Sequence, residues 1–281
     1  MKIAIFYNPA PGTVGDYFRR AFVRLGHAVD HYSTSGADQC RGGYAFYLRI
    51  DHGDYASDLP RRLRPAAFYA VDAHLAHAWR SIRRQARRYD AVFCVQQEAA
   101  KRLARAHWVP LACDDECHRA EPGPARYPLA FIGHDGGVPR KFYLQELRER
   151  YPHSFIGKAR HTEMASVYRH ANIGFHYIEC TSPLRDMVSM RVYEVMAAGR
   201  LLLTNALDPE TFSQLGMRDR EELAIYHTPR ELLELIDFYL CHEAERERIA
   251  GAGQRCVLGR HTYLHRAQQM LHIVDKELEV R

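Results

Sequence analysis

The chain has 281 residues, of which 47% are hydrophobic and 26% charged, with a formal net charge of +5 at neutral pH. That length exceeds one typical domain and suits two of moderate size, and the apolar content is enough to build buried sheets. No run of about 18 apolar residues is present to cross a bilayer, and the apolar run in MKIAIFYNPAPG is too short for a signal-peptide core.

Lys2–Tyr7 reads as a first buried strand, and the glycine-containing loop Asn8–Gly15 leads into a helix over Val14–Leu25. Gly26 ends that helix and Ala28–Tyr32 is a second strand. Ala45–Ile50 and Ala67–Val71 are strand-like within a less regular section. Trp79–Arg88 is a basic helix, Ala91–Val95 a buried strand, Gln97–His107 a helix and Trp108–Leu111 the last strand of this half. The polar run Ala112–Pro128, holding Pro122, Pro124 and Pro128, breaks the rhythm and marks a linker. The pattern restarts with strand Leu129–Ile132, helix Arg140–Tyr151, strand Ser154–Ile156, helix Glu163–His170 and strand Ile173–Tyr177. From Ser182 to Asn205, SPLRDMVSMRVYEVMAAGRLLLTN reads as a polar loop, a short helix carrying one acid, a glycine turn at Gly199 and strand Leu201–Thr204. A short helix near Glu210–Leu215 and an edge strand at Leu223–Tyr226 follow. Pro229–Leu278 is helical, with an interruption around Gly251–Gly259.

Alternation of strand and helix from end to end predicts an α/β protein with parallel sheets and helices on both faces. Two Rossmann-like domains are expected, residues 1–120 and 121–260, with an interdomain cleft and a last helix over 261–281. Ligands of such sheets sit beyond the carboxyl ends of the strands. Seven cysteines, at positions 40, 94, 113, 117, 180, 241 and 256, are scattered and odd in number, which points to reduced thiols in a cytoplasmic protein.

Asp186 and Glu194 are separated by seven residues, with Glu194 on the short helix. Amide groups in the turn Met187-Val188-Ser189-Met190, ahead of that helix, suit a diphosphate, and Ser189 has the chemistry of an N-cap. A carboxylate one turn further on suits ribose hydroxyls, and together these features suit a nucleotide sugar. The competing reading makes Glu194 a solvated side chain paired with Arg191, three residues earlier. Arg191 either makes that pair or reaches a phosphate. Gly12 and Gly15 let the backbone approach a phosphate or the transferred sugar, or simply form a βα turn. Their spacing lacks the three-glycine fingerprint, which counts against a nicotinamide-dependent dehydrogenase. His74 and His77 are spaced as a helical metal pair without a third ligand. Cys113, Cys117 and His118 are spaced unlike recurring zinc sites, so no metal is expected. Basic residues from Arg80 to Arg105 form either solvated helical faces or a docking surface for an anionic membrane, a phosphate-bearing acceptor or nucleic acid. They lack the aromatic interleaving of single-strand binders.

The segment Arg191-Val192-Tyr193-Glu194-Val195-Met196-Ala197-Ala198-Gly199, followed by Leu201-Leu202-Leu203-Thr204, resembles the C-terminal domain of GT-B glycosyltransferases. It is most similar to the spore-maturation CgeB-like branch of the group 1 transferases. Those enzymes carry an acid, seven residues and a glutamate, usually with glutamate at both ends; here the first acid is Asp186. The resemblance runs from about Tyr127 to the C-terminus and is mainly topological before that.

The resemblance implies a GT-B glycosyltransferase that moves a sugar from a nucleotide-sugar donor to a hydroxyl acceptor, with the donor as co-substrate and no cofactor or metal. Donor residues implied are His134 and Gly136 in the loop Phe131–Gly137, then Arg140, Lys141 and Lys158, with Ser189, Met190, Arg191 and Glu194. Arg140 is the first choice to stabilise the leaving diphosphate, although each of these cations also reads as an ordinary exposed side chain. Asp186 would face the sugar. Asp72 and His74 are implied on the acceptor side, Asp72 as a hydrogen-bonding partner or base. The acid-seven-acid pattern implies retention, in which the departing phosphate takes the proton; an inverting enzyme would need a base, with Asp72 and Asp16 the first to test. The last helix is implied to cross back to the first domain. The alternatives are a non-catalytic nucleotide- or glycan-binding GT-B protein, a nucleic-acid-modifying glycosyltransferase and a sugar-nucleotide epimerase, and a peripheral membrane location is compatible with the basic helices.

Overall fold

The computed structural model describes residues 1–51, 53–121, 123–179 and 184–279. Cys180, the start of the polar loop at Ser182, and Pro122 of the linker lie outside the described residues. The chain divides into two compact units, Met1–Leu111 with Cys180–Met187 and Tyr263–Arg281, and Ala112–Glu179 with Val188–Thr262. No described helix is long and apolar enough to cross a membrane.

The first unit is built on six parallel strands, β1 (Lys2–Phe6), β2 (Ala28–Tyr32), β3 (Phe46–Ile50), β4 (Ala66–Ala70), β5 (Ala91–Cys94) and β6 (Ala106–Trp108), in the order β2-β1-β3-β4-β5-β6. All five residues of β3 and of β4 are buried, as expected for a parallel sheet covered on both faces. Helices α1 (Val14–Arg24), α2 (Ala76–Ala86) and α3 (Gln97–Arg102) connect the strands. The C-terminal helix Tyr263–Glu279 also belongs to this unit: Tyr263 stacks on Tyr17 at 4.9 Å, and Arg266 donates to the Pro110 carbonyl at 2.9 Å. The expected helix over Gln97–His107 is therefore cut short. Arg105 adopts a left-handed φ of 56°, and the chain turns there so that Ala106–Trp108 can pair with Val92–Cys94. The strand expected at Trp108–Leu111 thus begins earlier.

The second unit has five parallel strands, β7 (Tyr127–Ile132), β8 (Phe155–Gly157), β9 (Ala171–His176), β10 (Leu201–Thr204) and β11 (Ala224–Ile225), in the order β11-β10-β9-β7-β8. Its helices are α4 (Arg140–Arg150), α5 (Met164–Arg169), α6 (Met190–Ala197), α7 (Pro209–Gln214), α8 (Pro229–Cys241) and α9 (Glu243–Arg260). Residues 112–120, placed with the first half by the sequence reading, cluster here, because Cys113 bridges to Thr262 and the Ala120 amide reaches Ala197. The break expected around Gly251–Gly259 is absent. The helix runs through it and breaks instead at His242 and at His261–Thr262. Gly253 is required inside α9, since a Cβ there would lie 2.3 Å from the Glu222 carbonyl oxygen. This close approach outweighs the roughly 1 kcal/mol that glycine costs a helix.

A second close approach sets the position of α6. A Cβ on Gly174, in the middle of β9, would lie 2.3 Å from Cγ1 of Val195. Glycine lets α6 sit directly on the strand and fixes the height of its N-terminus over the sheet edge. Gly174→Ala is expected to destabilise the protein by about 1–3 kcal/mol, the usual range for overpacking. Gly137→Ala, where nothing lies within 4 Å, should shift the urea midpoint little. Equal midpoints for the two variants would contradict this packing account.

Candidate functional site

In the second sheet the chain leaves β7 for β8 on one side and returns to β9 on the other. The connections diverge at the carboxyl ends of β7 and β9, the switch point where open α/β sheets hold ligands. The exit of β9 is pinned there. Asn205, just after β10, accepts from the Ile178 amide at 2.7 Å and donates to the Ile178 carbonyl at 3.1 Å. Arg140, the first residue of α4, donates to the Tyr177 carbonyl at 3.1 Å and pairs with Glu179 at 3.0 Å. Its side chain is 16% exposed, and its Nε–H is buried without an acceptor among the described residues. Gly136 has a φ of +66°, and a Cβ there would lie 3.0 Å from both Arg140 Nη1 and Glu179 Oε1. A glycine is thus needed for the β7–α4 loop to close over the arginine.

The entry of α6 differs from expectation. Ser189 is the N-cap residue but makes no capping bond; its hydroxyl lies 2.7 Å from His176 Nε2. His176 closes β9, and burial, with the Arg191 and Arg140 charges nearby, holds its pKa well below the ordinary value, so the ring is neutral. Its Nδ1 is buried and lacks a partner among the described residues. Glu194 is only 2% exposed, so the solvated-face reading is corrected, although the pair with Arg191 does form. The other carboxylate oxygen lies 3.4 Å from His118 Nε2. The Asp114 amide donates to His118 Nδ1 at 2.9 Å, which makes that nitrogen the acceptor and leaves the proton on Nε2, facing Glu194.

Burial lowers the His118 pKa more than the Glu194 and Asp114 charges raise it. A histidine depressed in the fold binds its proton more readily when unfolded. The stability it contributes is therefore complete above about pH 6.5 and is lost as pH falls through that value toward the folded pKa. The thermal midpoint should drop between pH 7 and pH 5, and drop less in His118→Gln. An unchanged pH profile in that variant would contradict the buried neutral assignment.

His134, Lys141 and Lys158 are exposed around the same loop. Asp135 in the loop is held below the ordinary carboxylate range by Arg148, with Lys141 and Lys158 adding to the effect. Of the expected donor-side residues, Arg140 and Arg191 bring their charges near His176 at the end of β9, and Ser189 touches its ring. Among the described residues no three His, Cys, Asp or Glu side chains gather as a metal site.

The remaining candidates lie in the first unit. Gly12 takes a turn with φ of 76°, but Gly15 does not open the backbone to a ligand: a Cβ there would meet the Tyr7 ring at 2.2 Å. Asp16 accepts from the Tyr7 hydroxyl at 2.5 Å and from Thr13, the N-cap of α1. Asp72 accepts from the Tyr55 hydroxyl at 2.6 Å and from the Gly53 amide at 3.3 Å. Gln96 links this region, its Nε2 lying 3.4 Å from His74 Nδ1 and 3.0 Å from Met187 Sδ. Asp186 is 5% exposed and accepts from the Glu98 amide at 2.7 Å, serving the start of α3. Burial raises its pKa against that amide. Asp186 and Glu194 thus fall in different units, and Asp186 has a packing partner that spacing alone does not reveal. Sequence reasoning also missed His176, Glu179 and Asn205. Their positions just beyond the ends of β9 and β10 are the signal that identifies them.

Residues 125–272, more than half of the chain, match the profile of the glycosyl transferase-like family. No curated protein matches the chain. Among solved structures, it is similar to an alpha-glucosyltransferase in complex with UDP and a 13-mer DNA, at 11% identity and a TM-score of 0.70 over 98% of this chain and 99% of that one. Sucrose-phosphate synthase from Thermosynechococcus elongatus shares 12% identity and a TM-score of 0.65 over 100% of both chains. Anabaena Alr3699/HepE in complex with UDP-glucose shares 12% identity and a TM-score of 0.63 over 98% of this chain and 100% of that one. At these identities the likeness establishes the fold, which is GT-B.

Proposed function

The chain belongs to the glycosyl transferase-like family, and from that premise we propose that it transfers a sugar from a nucleotide-sugar donor to a hydroxyl acceptor. The observation that carries this reading is the placement of Arg140 and Arg191 on one sheet edge, beside the β7/β9 switch point, with Glu194 and a neutral His176. Breaking the glycosidic bond to the nucleotide builds charge on the terminal phosphate oxygen, and a pre-positioned guanidinium lowers that barrier. Arg140 fills this role, held by the Tyr177 carbonyl and Glu179. Lys141 and Lys158 add positive potential that draws the donor in.

Glu194 holds Arg191 in place. Two of its roughly four acceptor positions are occupied, and ribose hydroxyls reach the others when Arg191, 22% exposed, turns toward the phosphates. The departing phosphate accepts the acceptor's proton in a retaining, metal-independent reaction. Asp72 and His74 serve the acceptor side; Asp16 and Asp72 each accept from a tyrosine hydroxyl, Tyr7 and Tyr55 respectively. Within the family the acid-seven-acid segment favours the CgeB-like branch. The UDP and UDP-glucose held by the similar structures make uridine diphosphate sugars the first donors to test. The similarity to a DNA-bound glucosyltransferase favours, as a second reading, a nucleic-acid hydroxyl as acceptor.

The test is incubation with UDP-, GDP-, ADP- and dTDP-sugars, with nucleotide release and thermal shift measured together. Release from one nucleotide class, with a matching shift, is expected. No shift with any of them would remove the donor assignment.

A further inference from the structure

The first unit carries a second charged region, on the opposite edge of its sheet from the Asp72 and His74 loops. Arg61 and Arg64 precede β4, Arg87 and Arg88 precede β5, and Arg102 and Arg105 precede β6. Because these strands are parallel, all six residues lie at their amino ends. Between residues 57 and 105 there are ten arginines and one lysine against four acids. That is a net +7, more than the whole chain's +5.

Some of this charge has structural work. Arg88 pairs with Asp58 at 2.6 Å, Arg64 with Asp90 at 3.5 Å, and Arg102 with Glu98 at 3.5 Å. Cations near the end of α2 also complement its dipole. Arg61, Arg80, Arg83, Arg84 and Arg87 are exposed and have no acid partner among the described residues. Two recesses share Arg87. One, of about 330 Å³, is walled by Arg61, Arg64, Arg87 and Arg88; the other, of about 220 Å³, includes Arg83, Arg87 and Arg102.

We propose that this edge docks the phosphate backbone of double-stranded nucleic acid, without reading its sequence. Guanidinium forks match discrete phosphate groups, and Arg is favoured over Lys where that geometry counts. Arg83, Arg84 and Arg87 come at the end of α2, where it reaches this edge, and add their charge to it. The large apolar side chains most exposed among the described residues are Met1, Val23, Val138, Phe142 and Phe238, none of them at this edge. The patch thus lacks the apolar anchor of an interfacial membrane site and the stacking platforms of a single-strand binder. The proposal rests on this surface alone and is independent of the donor chemistry.

The experiment is fluorescence anisotropy of the full chain with a labelled 20-base-pair duplex at 50, 100 and 200 mM salt, beside vesicles containing phosphatidylserine. Four phosphate contacts predict about a hundredfold weaker duplex binding from 50 to 200 mM. Arg61→Glu/Arg83→Glu/Arg87→Glu should weaken binding at 50 mM by at least tenfold. Arg218→Glu/Arg230→Glu/Arg255→Glu, with the same charge change on exposed residues of the second unit, should bind nearly as the parent does. Vesicle binding without duplex binding, equal losses in the two variants, or no duplex binding at 50 mM would each overturn the proposal.

Discussion

Arg140→Ala is expected to lower turnover of the sugar nucleotide by about a hundredfold or more while leaving the protein folded. Loss of one pre-positioned donor to a developing oxyanion typically costs about 3 kcal/mol in the transition state. The stability cost should be near 1 kcal/mol, because the partner Glu179 is 37% exposed and can be solvated. Arg140→Lys keeps the charge but not the fork that bridges the Tyr177 carbonyl and Glu179, so it should recover only part of the rate. Lys141→Ala, at an exposed position, should change turnover less than about threefold, as removal of a peripheral attracting charge would. Equal losses for Arg140→Ala and Lys141→Ala would contradict the special placement of Arg140.

The second large effect concerns Glu194. Glu194→Ala leaves Arg191 and His118 without their shared carboxylate. Breaking a fully buried ion pair costs about 3–5 kcal/mol; about 2 kcal/mol is expected here, since Arg191 can turn toward water. Donor binding separates the two side chains. Glu194→Gln should weaken uridine and UDP by similar factors of about ten, because the lost interaction is with ribose, at roughly 1.4 kcal/mol. Arg191→Ala should weaken UDP far more than uridine, because its partner is phosphate. Titration calorimetry with both ligands decides this, and a Glu194→Gln variant that binds both as the parent does would remove the ribose role.

Much of the fold is legible in local pattern. Ala28–Tyr32, after the Gly26 that ends the first helix, and Leu201–Thr204, an apolar run, are strands with the expected bounds. The position of the loop between β7 and α4 follows from the βαβ rhythm alone. What stays hidden is set by partners distant in the chain. Gln97–His107 has a continuous helical composition, yet its last part pairs with β5. Gly253 looks like a helix breaker until Glu222 is found against it. Arg49, in the run FYLRI, is 0% exposed and donates to the Asp54 carbonyl, an environment that no alternation of polar and apolar residues announces. The same holds at the site. Glu194 and Arg191 are neighbours on one helix turn and could be paired by spacing. His118 reaches Glu194 from the segment that the composition marked as a linker, and Ser189 gives up its expected cap for His176.

Amide hydrogen exchange with and without saturating UDP-glucose tests the donor assignment most directly. Slowed exchange is predicted in residues 133–139, 177–179 and 187–194, the segments around Arg140, Glu179 and Glu194. Protection confined to the first unit, or none at these segments despite measured binding, would contradict a donor seated on the second sheet's carboxyl edge.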